Sequence, residues 1–436
     1  MPMGFPEPVH VILVTAGAAA GDTVEVTARG ERYRGVVMPH HSFSGDDILT
    51  LKLENGYNVG IEVRDVSAVH LVQKHDAAKA VPRRAPPSGG KPTMVVLGTG
   101  GTIASYVDYR TGAVHPAVTA EELVFSVPEL LDLVDVRARV VYSIFSENLR
   151  PGHWQNLAGE IGAEFAAGAR AVVVPHGTDT LHFTTAALSF MLSDLPGPVI
   201  VVGAQRSSDR PSSDAAMNLM CSAHLAAADL GEVVALMHAE TGDTFCAVHR
   251  GTKVRKMHTS RRDAFRSINA PPLGAVHLDG RVDLSPDARR RSAGPPRVDV
   301  ALEPRVTLVR FFPGLAADRL EAFLHGMRGV VLEGTGLGHV ASDLIPPIAK
   351  FVRDGNVAVM TSQTLYGRVN LRVYDTGRDL LKAGVISGED MLPEVAYVKL
   401  MWILKHAEDR DEVVRRMAEN IAGEITPTIG LDAFEG

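Results

Sequence analysis

Two segments of this chain set threonine hydroxyls among glycines: Gly98-Thr99-Gly100-Gly101-Thr102-Ile103-Ala104-Ser105 and His176-Gly177-Thr178-Asp179-Thr180. Amide hydrolysis needs a nucleophile, a group that removes its proton, and donors for the oxyanion that develops. A threonine hydroxyl is weak at neutral pH and has to be activated by a neighbour. In the first segment, Gly100-Gly101 lets the backbone come close to a substrate, and Thr102 is the hydroxyl that follows the turn. In the second, Thr178 and Asp179 arrive at a helix start, where free N–H groups and the dipole favour negative charge. Each segment alone has a plainer reading. Gly98-x-Gly100 suits a dinucleotide loop, except that position 103 is Ile where that loop needs its third glycine. Thr178, Asp179 and Thr180 are also common helix N-cap types. Together the two segments point to amide hydrolysis through a threonine.

The elements that must hold these loops are legible around them. Each loop follows an aliphatic run, 94–97 or 171–174, and reads as leaving the carboxyl end of a buried parallel strand. In open α/β sheets that edge is where ligands bind. Further strands are expected at 140–143, 199–202 and 233–237, alternating with helices at 154–167, 181–192 and 214–227. That alternation predicts βαβ units and a doubly wound parallel sheet. A second α/β unit follows, with strands at 305–310, 329–332 and 357–360 and closing helices at 391–406 and 412–423. The first 75 or so residues differ: short, partly alternating apolar runs are separated by Arg29-Gly30, Ser44-Gly45-Asp46-Asp47 and Asn55-Gly56. They predict a small antiparallel all-β barrel or sandwich without an evident catalytic constellation. The expected division is a β-barrel domain at 1–78, a linker at 79–92, an α/β catalytic domain at 93–284, a linker at 285–304 and a second α/β domain at 305–436.

Composition narrows the class. A chain of 436 residues that is 45% hydrophobic can bury a large core, and its net charge of −7 argues against a dominant electrostatic grip on nucleic acid. The run Arg289-Arg290-Arg291 suits contact with RNA, but charged linkers are most often solvated. Cys221 and Cys246 are too few for a disulfide framework and suit a reducing cytosol as buried apolar side chains. No His-Cys arrangement marks Cys246 as a nucleophile. The stretch 9–20 faintly resembles a signal peptide, but it lacks a basic leader and follows prolines and Glu7. No apolar run approaches the roughly 20 residues that span a bilayer. The chain reads as cytoplasmic, with no membrane partner and no metal site.

GTGGTIAS and HGTDT closely resemble the two signature loops of the L-asparaginase family of amidohydrolases. The resemblance runs on through Ser146-Glu147-Asn148, Gly203-Ala204-Gln205-Arg206, Pro211-Ser212-Ser213-Asp214 with Asn218-Leu219, and Val254-Arg255-Lys256, over about residues 93–430. It implies an asparaginase-like pair of doubly wound parallel sheets. Thr102 then matches the catalytic threonine drawn as the nucleophile, and Thr178 with Asp179 matches the second threonine and its aspartate. Lys256 matches the lysine that assists the second threonine, in a register set by Phe265-Arg266-Ser267. A desolvated lysine amine can act as a base, and a threonine beside it becomes a proton relay. Ser146 and Glu147 would clamp the substrate's polar end, beside Gly101 and Gly177, and Asp179 would also pair with its α-ammonium group. One departure stands out: alignment on Glu121-Glu122-Leu123 puts a small residue near Ala113 where the family has a lid tyrosine, and Tyr106 and Tyr109 fall out of register.

Plain asparaginases lack the N-terminal barrel. The barrel, the stretch 250–267 and Ser-Glu-Asn in place of the usual Ser-Gln are similar to the asparaginase-like subunits of archaeal-type Glu-tRNA(Gln) amidotransferases. That resemblance implies hydrolysis of L-glutamine through a threonyl acyl-enzyme. The ammonia would pass to a partner, the GatE chain of such complexes, which converts Glu-tRNA(Gln) to Gln-tRNA(Gln). ATP and Mg would act in the partner and no cofactor in this chain, which carries no phosphate-binding P-loop motif. tRNA(Gln) would be held mainly by the partner, and this chain would form a homodimer within a heterotetramer. Gly334-Thr335-Gly336, Ser362-Gln363-Thr364 and Tyr366-Gly367-Arg368 are then candidates to complete a neighbour's site. A free-standing L-asparaginase with an accessory barrel is the rival reading, and a binding module without catalysis is the other.

Overall fold

The computed structural model describes residues 5–38, 40, 45–53, 58–74, 91–100, 105–107, 114–116, 127, 129–206, 213–430 and 434. The N-terminal module is a five-stranded antiparallel sheet made of β1 (Thr23–Ala28), β2 (Glu31–Val37), β3 (Ile48–Leu53), β4 (Asn58–Glu62) and β5 (Val66–Gln73), in the order β4-β3-β2-β1-β5. Burial alternates along β1, as expected of a strand with one face in a core. Arg29 and Gly30 both take positive φ, 51° and 81°, which lets a two-residue turn follow the twist of the β1–β2 hairpin. The helix Glu7–Thr15 lays Val9 and Leu13, four residues apart on one face, against Val24, Val26, Leu49 and Leu51. The apolar stretch with a faint leader-like look thus belongs to this module's core.

The second sheet has eight strands. Its parallel part comprises β6 (Thr93–Gly98), β9 (Asp135–Val140), β10 (Ala171–Pro175), β12 (Val199–Val202) and β13 (Val233–His238). A short hairpin of β7 (Ser105–Val107) and β8 (Val114–Pro116) lies between β6 and β9 in the chain, and β11 (Leu192–Ser193) precedes β12. The sheet then turns antiparallel through β14 (Phe245–Arg250), β17 (Gly274–His277) and β18 (Val282–Leu284), so it is mixed rather than wholly parallel. The full order is β18-β17-β14-β13-β12-β10-β6-β9. Between β14 and β17 a separate hairpin stands off the sheet, β15 (Val254–Lys256) with β16 (Phe265–Ser267). The strand expected at 140–143 sits earlier, at Asp135–Val140. It is an edge strand whose Arg137 and Arg139 reach Glu160 and Glu164, so it alternates and lacks the continuous apolar run of its neighbours.

Both faces of this sheet are covered. Val95, Val172 and Val199 pack with the helices Pro151–Ala166 and Leu181–Met191, while Met94, Val173 and Ile200 pack with the helix Ala215–Ala227. A third, all-parallel sheet of β20 (Val306–Arg310), β21 (Gly329–Gly334), β22 (Val357–Ser362) and β23 (Ile386–Ser387) follows. The helix Pro393–His406 shares one continuous core with both sheets, and Val395, Ala396, Val398, Leu400, Met401 and Ile403 are wholly buried. A helix apolar on all sides belongs between two layers. The last helix runs Arg410–Ala418, capped by Asp409, and stops short of the expected 423.

The segment joining the two α/β sheets is not a solvated strap. β19 (Arg297–Val298) pairs with β11, and Arg291 donates to the carbonyls of Ala226, Ala228, Arg170 and Pro196. Arg290 pairs with Asp229, and Arg289 donates to the Ile421 carbonyl. The basic triplet is committed to holding loops of the protein itself.

Candidate active site

The two glycine-threonine loops leave neighbouring parallel strands. β6 pairs with β10, and both the N–H and the hydroxyl of Thr99 donate to the Pro175 carbonyl, at 3.2 and 2.8 Å. Gly100 takes φ +99°, and a Cβ there would run into the Ile144 backbone, so only glycine fits. Gly101 and Thr102 lie outside the described residues, as do Tyr109, Ala113, Pro211, Ser212 and 121–123.

The second loop is held from three sides. A Cβ on Gly177 would lie 2.8 Å from Ser146 Cβ, so the missing side chain lets the buried Ser146 pack against this loop. Thr180 occupies the N-cap position of the helix Leu181–Met191, but its hydroxyl makes no capping bond and donates instead to the Ser146 carbonyl at 2.8 Å. Glu147 is exposed on the same short 3-10 turn. Behind the loop, His176 is fully buried, with Nδ1 2.7 Å from the Gly177 carbonyl and Nε2 2.8 Å from Thr184 Oγ1. A carbonyl only accepts, so the ring proton sits on Nδ1. Burial pushes the His176 pKa down to about 4, leaving a neutral, structural imidazole.

Thr178 is buried beside Gly203, where a Cβ would come within 2.7 Å of Thr178 Cγ2. The turn at Gly203 is itself fixed: the Asp214 carboxylate accepts from the N–H groups of Gln205 and Arg206 at 2.9 and 3.0 Å, and Asn218 Nδ2 donates to the Gly203 carbonyl at 2.9 Å. The motif residues Asp214 and Asn218 thus shape the wall against which Thr178 stands.

From the β15–β16 hairpin, Lys256 reaches across to this loop. Its Nζ lies 2.8 Å from Thr178 Oγ1 and 2.7 Å from Asp179 Oδ1. The lysine side chain is 10% exposed and the aspartate 71%, so the Lys256 amine is tucked under the loop while Asp179 faces solvent. Lys256, Thr178 and Asp179 therefore form one hydrogen-bonded set. A hydroxyl linked to an amine that also bonds a carboxylate can pass a proton in and out of a substrate site.

The other lysine of this run, Lys253, has the opposite setting. It is buried and ion-paired to Asp390 of the third sheet's unit at 2.7 Å, with 3% and 0% of the two side chains exposed. It is an internal tie, not a solvated surface charge. Burial pushes the Cys246 thiol up, which leaves it an inert core residue. Motif and spacing alone missed His182 and Glu394. His182 follows Thr178 by one helical turn, and Glu394 accepts from Arg255 Nη1 at 2.7 Å. The available signal was a glutamate standing at the head of helix 393–406, which is largely apolar through 395–404 apart from Lys399.

Two of the three candidate segments of the last unit bond to each other, and the third reaches Asn269 of the preceding unit. Gln363 N donates to the Gly334 carbonyl at 2.9 Å, Ser362 Oγ to the Gly336 carbonyl at 2.6 Å, and Gly367 N to Asn269 Oδ1 at 2.8 Å.

Comparison with known proteins follows this architecture. Residues 93–289 match the asparaginase N-terminal domain, 305–417 the glutaminase/asparaginase C-terminal domain, and 18–72 the GatD N-terminal domain. The GatD subunit of glutamyl-tRNA(Gln) amidotransferase from Pyrococcus furiosus is 51% identical over 434 residues, covering 98% of this chain and 99% of its own. This chain belongs to the GatD family. The relative of the same name from Methanothermobacter thermautotrophicus is 47% identical over 427 residues, covering 97% of this chain and 98% of its own. The catalytic fold of the GatD family is that of asparaginases. The thermostable L-asparaginase of Thermococcus kodakarensis superposes with a TM-score of 0.69 at 33% identity, covering 77% of this chain and 100% of that one. L-asparaginase I of Vibrio cholerae gives 0.66 at 27%, with coverage of 77% and 100%. This GatD chain is thus the enzyme component of an amidotransferase, built on an amidohydrolase fold. Among its described residues no helix is long and apolar enough to cross a membrane.

Proposed function

We propose that this chain hydrolyses L-glutamine and delivers the ammonia to an amidotransferase partner that turns Glu-tRNA(Gln) into Gln-tRNA(Gln). The observation that carries the reading is the Lys256 amine held within 2.8 Å of Thr178 Oγ1 and 2.7 Å of Asp179 Oδ1, in a chain whose N-terminal module matches that of GatD. Thr102 attacks the amide carbon and forms the acyl-enzyme. Thr178 relays the Thr102 hydroxyl proton to the Lys256 amine across the short contact, and that proton passes to the departing nitrogen as the C–N bond breaks and ammonia leaves. A water then cleaves the ester to release glutamate and restore the Thr102 hydroxyl. Asp179, exposed at the loop tip, pairs with the substrate's α-ammonium group. Ser146 and Glu147 hold its polar end, with Gly101 and Gly177 letting the backbone come close.

Activation of the tRNA-borne γ-carboxylate by ATP and Mg²⁺ belongs to the partner, GatE, which also carries most of the tRNA(Gln) contact. The working form is a homodimer of this chain within a heterotetramer in the cytoplasm, with the cluster around Ser362–Gln363–Thr364 completing the neighbour's site. The domain division at 1–78, 93–284 and 305–436 goes with this reading: one module for recognition, two for hydrolysis.

The deciding measurement is ammonia release from glutamine by the chain alone, with its partner, and with the partner plus charged tRNA. The expected result is stimulation in the full mixture. Strong asparagine hydrolysis by the chain alone, unaffected by the partner, would overturn the amidotransferase reading and favour an L-asparaginase.

A further inference from the structure

Behind the Thr178–Lys256 pair lies a buried cluster from three distant parts of the chain. Arg255 precedes Lys256 on β15, His182 sits in the first turn of the helix that follows Thr178 and Asp179, and Glu394 opens the helix Pro393–His406. Glu394 is 2% exposed. One of its oxygens, Oε2, accepts from Arg255 Nη1 at 2.7 Å. The other, Oε1, is buried with no hydrogen-bond partner, and it faces His182 Nε2 at 3.8 Å. His182 Nδ1 is also buried without a partner.

Buried polar atoms left unpaired are costly, and their persistence calls for an explanation. The unpaired Glu394 Oε1 and the edge of the His182 ring, with Nε2 nearest, face each other across a gap about 1 Å longer than a hydrogen bond. Closing that gap needs only a small advance of the first turn of the helix Leu181–Met191 toward Glu394. That turn carries Thr178 and Asp179 at its head, while the other end of the carboxylate grips the strand that carries Lys256. A single carboxylate therefore spans the two elements whose separation sets the Thr178–Lys256 distance. The alternative explanation, an ordinary buried ion pair, accounts for Oε2 and Arg255 but leaves the orphaned Oε1 beside His182 Nε2 without a reason. Burial holds His182 neutral, with its pKa lowered to about 3, so its ring offers one N–H that can turn to Glu394.

We propose that Glu394 is a positioning residue for proton transfer: it anchors Arg255 with one oxygen and engages His182 with the other when substrate is bound, drawing Thr178 and Lys256 into working register. The inference rests on the proposed function, in which Thr178 and Lys256 exchange the proton. It adds a residue from the C-terminal unit that touches neither substrate nor reacting atom.

The test uses the full chain with its partner subunit and compares Glu394→Gln, His182→Leu, the double variant and His182→Gln. Positioning predicts that Glu394→Gln and His182→Leu each lower kcat for glutamine hydrolysis by about tenfold or more with KM within about twofold, and that the double variant loses no more than the worse single one. His182→Gln, whose amide can still donate toward Glu394, regains most of the loss. Hydrogen exchange supplies a readout that needs no turnover: Glu394→Gln speeds exchange at residues 178–184 and 254–256 and leaves β12 unchanged. Losses that add, or a lower melting temperature with kcat and local exchange unchanged, would overturn the inference. If the wild-type complex releases no ammonia from glutamine, the proposed function falls, while the exchange pattern still decides whether Glu394 positions these elements.

Discussion

Lys253 and Lys256 stand three residues apart in one basic run and meet opposite surroundings. Lys256 pairs with a solvent-facing Asp179, and an exposed pair of that kind contributes little to stability. Lys256→Ala is expected to lower glutamine hydrolysis by about 10²–10⁴-fold, the usual range for a lost acid–base group, with the denaturation midpoint nearly unchanged. Lys253→Ala strips the buried Asp390 of its close ion pair, leaving it the Thr426 N–H and Arg368 at 3.9 Å, which costs up to about 3–5 kcal/mol. Urea denaturation separates the two, and a Lys253→Ala protein as stable as wild type would contradict the buried tie. The histidines make a pH prediction. Burial lowers His176 to about 4 and His182 and His249 to about 3, from 6.5. The unfolded chain therefore binds more protons below pH 6.5, so their contribution is whole above that value and shrinks as pH falls toward 3. Thermal melts should show stability rising from pH 4 to 6.5 and levelling off, with a shallower slope in His249→Asn.

At the scale of elements, the loop that carries Thr178 is shaped by a neighbouring turn. Gly203 carries no positive φ, so an alanine there is not strained in its backbone, yet its Cβ would press on Thr178 Cγ2 at 2.7 Å. Gly203→Ala should reduce kcat while shifting the melting temperature by only a few degrees; an unchanged kcat would mean that Thr178 has slack. The strap at 285–304 gives the converse case. Arg291→Met leaves the partly buried carbonyls of Ala226 and Ala228 without their donor and should cost about 1–3 kcal/mol, with no change in tRNA affinity of the complex. The sequence offered the opposite expectation, because a basic triplet beside prolines has linker composition and burial of a guanidinium leaves no local mark. The strand at Asp135–Val140 escaped for a related reason: an edge strand alternates, and the more apolar 140–143 beside it made the stronger pattern.

For the whole molecule, the division of cores predicts how it comes apart. The core of the N-terminal module draws only on residues 5–71, whereas one cluster joins both α/β sheets through the helix 393–406. A chain starting at Lys91 should unfold in a single transition within a few degrees of the corresponding transition of the full chain. Fragments divided at 304 should each fail to fold alone, since the shared core would be cut; calorimetry of the pieces reads this directly. The apolar runs 94–97, 171–174 and 199–202 and the threonine-glycine loops after them were legible in the sequence. Strand burial and tight turns depend on residues within a few positions of one another. The choice of Lys256 over Lys253 came instead from the family resemblance around Phe265-Arg266-Ser267, and the hairpin in which Lys256 pairs with Phe265 was not legible locally. What only the tertiary structure decided are the contacts made across it: Lys256 on Thr178 from 78 residues away, Lys253 on Asp390 from 137, and Glu394 on Arg255 from 139. Such partners are chosen when two sheets close on one helix, and no spacing along the chain encodes which charges that closure brings face to face.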